Sequence, residues 1–373
     1  MRIDTGSTVA RLACLAGFMA LALLAGAAPA PAATLSHKGN FGVSGWLVYW
    51  DPKSMQTFET HADLIDRVYP EWYTVGKDGM PRSNELEHKV GPDRDAFYVA
   101  KKRTVEIAHA HGIQIFSMIV NFDNTVMEHS GARVEMALND AALRARHIQA
   151  LVDNAVRDHA DGIDIDYENM KAVDAKPFNA FMAELKAACR PKGLLVAAAL
   201  APKTDADGTW DGNQAHDYKG LGSSLDLVRP MTYDEHWGTS SAGPVSSPEF
   251  TEMVDRYAAS VVDPSHVELG LAGYGYDWKG KQGSTIAYQD YLDLLKKYNL
   301  KATRDDETGE LYGRYTDASG AAHEFWFCDY GSYRPKYALI RKYHLAGLAL
   351  WRFGSEDPHF WEDLKAYKFA KEW

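Results

Sequence analysis

Eight short apolar segments recur along this 373-residue chain, and each is followed by a segment with the periodicity of an amphipathic helix. Such regular alternation of strand and helix predicts parallel strands. Eight strand-and-helix units at this length predict an α/β fold of the (β/α)8 TIM-barrel type. An open doubly wound sheet is the alternative, but no glycine-rich phosphate turn follows the first predicted strand. The predicted strands are Gly45–Trp50, Leu64–Tyr69, Ile113–Asn121, Asp161–Glu168, Leu194–Ala201, Leu225–Tyr233, Val267–Tyr274 and Leu345–Trp351.

One segment, about residues 277–334, interrupts this alternation between the seventh and eighth predicted strands. It contains a helical pattern near 286–298 and two short strand patterns around an Asp-Ala-Ser-Gly turn, so it predicts a small α+β insertion. No linker, low-complexity tract or short-period repeat divides residues 34–373. We therefore expect these residues to form one barrel domain that includes the insertion.

The first 33 residues have the features of a secretory signal peptide. Arg2 and Arg11 lie in a short polar start, Leu12–Ala27 is apolar, and residues 28–33 offer small-residue cleavage sites. The apolar run is short and rich in alanine for a membrane span, although an uncleaved anchor is the alternative. The sequence thus predicts a secreted or periplasmic protein without stable membrane insertion after processing.

Charge and cysteine content argue against several classes of protein. The chain has a formal net charge of −11 and no basic cluster, which argues against nucleic-acid binding. After processing only Cys189 and Cys328 remain, too few for a disulfide framework. Their places, late in a predicted helix and in a distant strand, argue against a bond between them. We expect a monomer that uses no cofactor and no metal.

The fourth predicted strand carries an unusual run of acidic residues. Alternation places Asp164, Asp166 and Glu168 on one face and apolar residues on the other. Aspartate is depleted in strands, and carboxylates at every second position lie only about 7 Å apart, so stability alone would not select this face. A solvated edge strand is one alternative, and a metal site is another, although metal sites usually draw ligands from several elements. We favour a set of carboxyl groups whose proton affinities differ, so that one of them donates a proton.

The pattern Asp-Gly-x-Asp-x-Asp-x-Glu, which begins at Asp161, resembles the catalytic signature of glycoside hydrolase family 18 at every fixed position. This family contains chitinases and related N-acetylglucosaminidases. Other strand ends agree with it: residues 231–234 read Met-Thr-Tyr-Asp, like the sixth strand of the family, and Trp351 resembles the tryptophan at the floor of its sugar pocket. The resemblance implies a glycosidase whose site lies at the carboxyl ends of the barrel strands.

The resemblance also implies roles for individual residues. Glu168 would be the general acid, and the 2-acetamido group of the substrate, instead of a protein carboxylate, would attack the anomeric carbon. Asp166 would hold the acetamido N–H, and Asp164 would share a proton with Asp166. Tyr233 would donate its hydroxyl to the acetamido oxygen. The predicted substrate contacts are Asp234, Trp351, Met231, Trp50, Trp72, Asn121, Tyr274 and Trp278.

The third strand departs from the chitinase pattern. Where typical chitinases carry a Ser-x-Gly-Gly turn, this chain reads Ile-Val-Asn-Phe at residues 119–122. Together with Trp-Asp-Pro at 50–52 and Pro-Glu-Trp at 70–72, it resembles a bacterial branch that includes spore-cortex and cell-wall N-acetylglucosaminidases. The implied partner is a carbohydrate polymer or oligosaccharide, either chitin-like or peptidoglycan. A sugar-binding lectin on the same barrel and a glycosidase for sugars without an acetamido group are the alternatives.

Overall fold

The computed structural model describes residues 34–84, 94–123, 126 and 128–372, so the predicted signal peptide lies outside the described residues. Within them, eight parallel strands form the barrel that the sequence predicted. The strands are Gly42–Leu47, Arg67–Val75, Gln114–Val120, Gly162–Asp166, Leu195–Leu200, Leu227–Pro230, Glu268–Ala272 and Gly347–Trp351. We number these barrel strands one to eight in chain order.

The barrel strands pair with their neighbours in the spatial order seven, eight, one, two, three, four, five, six. Strands six and seven complete the ring through a parallel bridge between Val228 and Val267. Because all eight strands run in the same direction, their carboxyl ends meet at one mouth. The segments that follow strands four and six, including Glu168 and Tyr233, therefore reach the same opening.

Helices cover the outside of the barrel, and several begin at side chains that cap them. Asp51, Asp140 and Ser247 each accept hydrogen bonds from backbone N–H groups in the first turn of the helix that follows. The helices are Pro52–His61, Arg94–His111, Gly131–Asn139, Ala141–Arg157, Ala175–Cys189, Asp211–Ala215, Tyr218–Leu221, Pro248–Val261, Tyr288–Tyr298, Tyr330–Tyr343 and His359–Lys368. A helix follows the barrel strands as the alternation predicted, and Gly131–Asn139, which follows a short hairpin after strand three, is an additional helix that was not predicted.

An aspartate at the amino-terminal end of the barrel strands precedes each of strands two, four and six. Asp66, Asp161 and Asp226 accept hydrogen bonds from backbone N–H groups in strands one, three and five, at 2.8, 2.8 and 2.7 Å. Each bond satisfies an amide at the start of the preceding strand, where burial would otherwise leave it unpaired. Asp161, the first residue of the Asp-Gly-x-Asp-x-Asp-x-Glu pattern, thus contributes to turn and strand geometry.

The interior of the barrel combines small side chains on strand five with large ones on other strands. Ala197 and Ala199 of strand five face inward, and they lie beside Asp164 of strand four and Arg229 of strand six in the strand register. Small side chains here leave volume for large ones on other strands, since a barrel interior is closely packed. The apolar residues of this interior are Trp46, Tyr69, Phe116, Met118, Val120, Leu195, Ala197, Ala199, Leu227 and Ala349.

The predicted insertion between strands seven and eight is present and begins slightly earlier than expected. It is a five-stranded antiparallel sheet with the helix Tyr288–Tyr298 packed on it. Its strands are Gly275–Lys279, Gln282–Ile286, Thr303–Arg304, Leu311–Thr316 and Ala322–Phe327. The sequence predicted only the last two. Buried Glu310 ties the insertion to the barrel, since it accepts hydrogen bonds from the backbone N–H groups of Val245 and Ser246 at 2.9 and 2.7 Å.

The two cysteines of the described region are far apart in sequence and both are buried as free thiols. Cys189 is the last residue of a barrel helix, and Cys328 follows the last strand of the insertion. Among the residues described, no helix is both long and apolar enough to cross a bilayer.

Candidate active site

Strand four delivers its acidic face to the inside of the barrel. Asp164 and Asp166 point inward and are 0% and 5% exposed, whereas Ile163 and Ile165 pack in the outer apolar layer. Glu168 lies two residues beyond the strand, at the mouth, and 28% of its side chain is exposed. The alternation expected from the sequence therefore holds, and the three carboxyl groups run from the buried interior to the open cleft.

Asp164 has a partner that the sequence did not reveal. The guanidinium of Arg229, an inward-facing residue of strand six, donates a hydrogen bond to Asp164 Oδ1, and both side chains are 0% exposed. Burial raises the pKa of Asp164, and the adjacent guanidinium lowers it. Asp164 thus lies in a buried ion pair as well as beside Asp166.

Asp166 is the most electrostatically crowded group of the site. Burial raises its pKa well above the ordinary range, and the carboxyl groups of Glu168 and Asp164 raise it further. His129 and Arg229 oppose this shift. Its Oδ1 atom is buried without a hydrogen-bond partner among the described residues. An unpaired buried oxygen at the floor of a cleft is suited to accept a hydrogen bond from a ligand N–H.

Glu168 combines a fixed backbone with a side chain that reaches the cleft. Asn121, at the end of strand three, donates to the Glu168 carbonyl oxygen at 2.7 Å and accepts from the Glu168 backbone N–H at 3.0 Å. Burial, together with repulsion from Asp234, raises the pKa of Glu168 to about 7. A carboxylic acid that keeps its proton near neutral pH is suited to act as a general acid.

The motif that follows strand six forms the opposite wall of the site. Burial and the neighbouring carboxyl groups raise the pKa of Tyr233 well above 10, so its hydroxyl stays a hydrogen-bond donor. Asp234 has a left-handed backbone with φ of 57°. Its Oδ1 accepts hydrogen bonds from the hydroxyls of Tyr274 at 2.5 Å and Tyr276 at 3.0 Å. Tyr274 thus orients Asp234, and its predicted contact with substrate stays a prediction.

Three of the predicted apolar contacts lie where a sugar could reach them. Trp351 ends strand eight and is partly buried, with its ring edge-on to Trp46 at 5.5 Å. Met231, also partly buried, packs against the barrel interior near the end of strand six. Trp50 follows strand one and is 38% exposed. An aromatic ring at the mouth of a barrel can pack against the apolar face of a pyranose.

Trp72 and Trp278 do not reach the cleft, so their prediction as substrate contacts was wrong. Trp72 is 3% exposed and lies beneath the helix Arg94–His111, where the ammonium of Lys101 is 4.5 Å from its ring centroid. Tyr69, three residues earlier, faces the barrel interior, so the alternation of the strand places Trp72 on the outer face. Trp278 is 1% exposed inside the insertion sheet, and its indole N–H donates to the Trp237 carbonyl.

Asn121 requires a similar correction, because it is 0% exposed and both atoms of its amide are engaged by Glu168. We assign it to positioning of the acid, not to substrate contact. Asn121 was predicted to contact substrate because it lies at the end of strand three, but the structure shows that its amide binds the backbone of Glu168.

Two residues near the carboxyl groups were not among the predicted site residues. His129 lies in the hairpin after strand three, and its Nδ1 is 3.3 Å from Glu168 Oε1. Burial lowers its pKa, although the charge on Asp166 acts in the other direction. Glu71 of strand two is 4% exposed, and its pKa is raised well above the ordinary range by burial and by Asp166. The Pro-Glu-Trp pattern at residues 70–72 contributed to the family resemblance, but it did not indicate that Glu71 lies near Asp166, and no local motif marks His129. The barrel topology brings both residues to the site.

The alternative of a metal site has a partial geometric basis. Ligand atoms of His129, Asp166 and Glu168 lie within 4.8 Å of one another. A tetrahedral zinc ion needs ligands at about 2.0–2.2 Å, and hence somewhat closer to each other than this. The three residues could converge on an ion only after side-chain movement.

Comparison with known proteins agrees with this geometry. Residues 128–356 match the sequence profile of the glycosyl hydrolases family 18. The cortical fragment-lytic enzyme of Bacillus subtilis is 29% identical over 265 residues, which are 68% of this chain but only 60% of that enzyme. The spore cortex-lytic enzyme SleL of Bacillus megaterium has a similar structure, with a TM-score of 0.76 and 25% identity over 89% of this chain and 75% of that one.

A chitinase from Chromobacterium violaceum shares the fold, with a TM-score of 0.78 and 23% identity over 88% of this chain and 99% of its own. The family match covers both strand four and strand six, which carry the carboxyl groups and the tyrosine of the site. This chain is a member of the glycosyl hydrolases family 18.

Proposed function

We propose that this protein is a retaining glycosidase that hydrolyses β-linked N-acetylglucosamine glycans with help from the 2-acetamido group of its substrate. The observation that carries the proposal is Glu168, a carboxylic acid with a pKa of about 7 that reaches the cleft beside Asp166. Tyr233, held as a neutral donor, completes the set of groups that an acetamido sugar requires.

The first step breaks the glycosidic C–O bond. Glu168 gives its proton to the leaving oxygen, while the acetamido carbonyl oxygen of the substrate bonds to the anomeric carbon and forms an oxazolinium ion. Asp166 accepts the hydrogen bond of the acetamido N–H and balances the positive charge that develops there. Tyr233 donates to the acetamido oxygen and fixes its direction of attack.

The second step consumes water. The Glu168 carboxylate takes a proton from a water molecule, whose oxygen attacks the anomeric carbon and opens the oxazolinium ring. Glu168 is then an acid again, and two displacements at one carbon leave its configuration unchanged. Asp234 helps keep the pKa of Glu168 near 7 by repulsion, and Tyr274 and Tyr276 hold Asp234 in place.

The natural substrate is inferred from the relatives and from residues 119–122 at the end of strand three, which lack the Ser-x-Gly-Gly turn of typical chitinases. A cortical fragment-lytic enzyme and a spore cortex-lytic enzyme are among the similar proteins, which supports peptidoglycan-type glycans, and the chitinase fold match supports chitin-like oligomers. We further infer from residues 1–33 that the chain is exported from the cytoplasm. Export would bring the protein to such polymers, which lie outside the cytoplasm.

The test is turnover of an aryl chitobioside, peptidoglycan and chitin by purified wild-type protein and by Glu168→Gln. We expect turnover by the wild type and a loss of about 10²–10⁴-fold in the variant, as is typical for removal of a general acid. Glu128→Gln, an exposed carboxyl group of the neighbouring hairpin, is the matched control and should retain full activity.

Each alternative has its own outcome in this assay. Saturable binding of the oligosaccharides without turnover would support a lectin. Turnover of sugars that lack the acetamido group, in preference to those that carry it, would support a different glycosidase. Equal activity of Glu168→Gln and wild type would overturn the assignment of the acid.

A further inference from the structure

A buried carboxyl group on strand two lies beside the site and has no role in the two steps of the proposed reaction. Glu71 faces the barrel interior, as Tyr69 two residues earlier does, and it is 4% exposed. Strand two is four places from strand six in the ring of barrel strands, so Glu71 approaches the site from the wall opposite Tyr233. Buried carboxyl groups are costly unless a partner compensates them, so the partners of Glu71 are informative.

Hydrogen bonds hold the carboxyl group of Glu71 from one side. Asn84 Nδ2 donates to Glu71 Oε1 at 3.3 Å and to the Glu71 carbonyl oxygen at 2.9 Å. Oε2 of Glu71 has no hydrogen-bond partner among the described residues. Met118, the neighbour of Glu71 on strand three, has no donor to offer. One oxygen is thus held by the protein, and the other is available to a group that enters the cleft.

Two ionisable groups of the mouth act on Glu71 through space. Burial and repulsion from Asp166 raise the pKa of Glu71 well above the ordinary range, and the guanidinium of Arg352 opposes this shift. Arg352 follows Trp351 at the end of strand eight and donates to Asp51 at 2.7 Å. Glu71 is therefore a neutral carboxyl group at neutral pH, and it can both donate and accept a hydrogen bond.

The carboxyl groups around the cleft have a fixed order. Glu168 acts on the pKa of Asp166, and Asp166 acts on that of Glu71, whereas Glu168 does not act on Glu71. Strand three also separates Glu71 from strand four, which carries the other two groups. Asp166 therefore lies between Glu168 and Glu71.

The substituents of an N-acetylhexosamine follow one another in the same way. In the proposed reaction Glu168 protonates the oxygen on C1, and Asp166 holds the acetamido group on C2. The next carbon along this edge of the sugar ring is C3, which carries a hydroxyl group. Because Glu71 follows Asp166 on the side away from Glu168, the C3 hydroxyl is the group that meets it.

We propose that Glu71 is a specificity-determining residue that binds the C3 hydroxyl of the sugar at which cleavage occurs. The inference rests on the proposed function, because the places of C1 and C2 are taken from it. The carboxyl group of Glu71 exchanges hydrogen bonds with this hydroxyl, and no proton is transferred. Asn84 is a positioning residue, since it holds Oε1 and leaves Oε2 to the sugar.

Recognition at C3 distinguishes the two amino sugars of peptidoglycan. N-acetylmuramic acid differs from N-acetylglucosamine in a lactyl ether on O3, which replaces the hydroxyl hydrogen with a larger group. This ether leaves Glu71 without its partner and brings added volume, and in a strand without peptides also a carboxylate, to an acidic pocket. Cleavage therefore follows N-acetylglucosamine, and every sugar of a chitin-like chain meets the same requirement.

The first experiment compares an aryl chitobioside with an analogue that lacks the C3 hydroxyl on the sugar next to the aryl group. A buried polar group left without its partner costs a factor of about 10–100, so kcat/KM of the wild type should be lower for the analogue by that factor. In Glu71→Leu the two substrates should be hydrolysed at nearly equal rates. Glu71→Gln keeps a neutral donor and acceptor, so it should restore most of the wild-type ratio. A wild-type ratio close to one would overturn the proposal.

The ratio of the two rates separates recognition from a structural role. A substitution that only disturbs the fold lowers both rates alike, so a folded Glu71→Leu with the wild-type ratio would also overturn the proposal. Asn84 keeps its bond to the carbonyl oxygen of residue 71 in the variant, and an apolar side chain removes a buried carboxyl group, so we expect it to fold. If melting curves show that it does not, Glu71→Ala takes its place. Glu128→Gln, with an exposed carboxyl group replaced, is the matched control and should keep the wild-type ratio.

The second experiment digests peptidoglycan strands freed of their peptides, reduces the products with borohydride and identifies the reduced ends by mass spectrometry. We expect new ends that carry reduced N-acetylglucosamine, and new ends that carry mainly reduced N-acetylmuramic acid would overturn the proposal. Absence of turnover of every glycan by the wild type would refute the proposed function and this inference with it. Turnover without discrimination at C3 would refute this inference alone.

Discussion

Asn121→Leu is the substitution that most directly separates positioning of the acid from substrate contact. The change keeps the approximate size of the side chain and removes the hydrogen bonds of 2.7 and 3.0 Å to the backbone of Glu168. Asn121 is 0% exposed, so water does not readily replace these bonds. Each unsatisfied buried group costs about 1–3 kcal/mol, which gives a loss of about 2–6 kcal/mol in the free energy of unfolding.

The effect on turnover should be in kcat, because the backbone that carries Glu168 loses two of its constraints. A displacement of about 1 Å of a reacting group can reduce the rate by about 10²-fold, so we expect kcat to fall by about 10–100-fold with KM nearly unchanged. Steady-state kinetics on an aryl chitobioside and urea unfolding followed by circular dichroism measure the two quantities.

Asn139→Leu is the matched control, since Asn139 is exposed and makes a single hydrogen bond to a backbone carbonyl within its own helix. It should leave both kcat and stability almost unaltered. A strong rise in KM in Asn121→Leu, with kcat and the free energy of unfolding at wild-type values, would contradict the positioning role of Asn121. That result would return Asn121 to the substrate contacts.

The remaining predictions concern the acid, its neighbour, two tryptophans and metal ions. Because Glu168 has a pKa of about 7 and acts while protonated, kcat/KM should decline as pH rises through about 7, and a profile flat to pH 9 would contradict this. His129→Ala should lower kcat about tenfold through loss of the group 3.3 Å from Glu168 Oε1, with Glu128→Ala as the unaffected control. Trp351→Ala should raise KM about tenfold, whereas Trp72→Phe should lower the melting temperature and leave KM alone. Treatment with EDTA should not change activity, and added Zn²⁺ should inhibit by displacing the proton of Glu168; activity lost to EDTA and restored by Zn²⁺ would refute proton donation by Glu168.

Patterns that are local in sequence were sufficient for much of this protein. Helical and strand periodicity predicted eight parallel strands, and the strict alternation in strand four predicted that Asp164 and Asp166 share one face. Both predictions depend only on the geometry of consecutive residues, which is the same in every strand. Tyr233 and Asp234 were predicted differently, from the resemblance of the motif after strand six to that of family 18.

Strand ends and loops were less predictable. Trp72 and Trp278 were expected at the cleft because they lie near strand ends, but the first lies on the outer face of strand two and the second belongs to a sheet of the insertion. Strand two was predicted to end at Tyr69 but continues to Val75, so the alternation that places Trp72 outward was not applied to it. Three of the five insertion strands were missed, since their hydrogen bonds join segments that are irregular in sequence.

The sequence by itself determined the eight barrel strands and most of the helices around them, because the periods of 2 and 3.6 residues are set by backbone geometry that neighbouring residues share. Only the tertiary structure decided which polar groups meet. Arg229 and Asp164 are 65 positions apart, as Asn121 and Glu168 are 47 apart, and each pair is joined by closure of the barrel. The pKa of Glu168 follows from that closure as well, since burial and the approach of Asp234 arise only when strands four and six share one mouth.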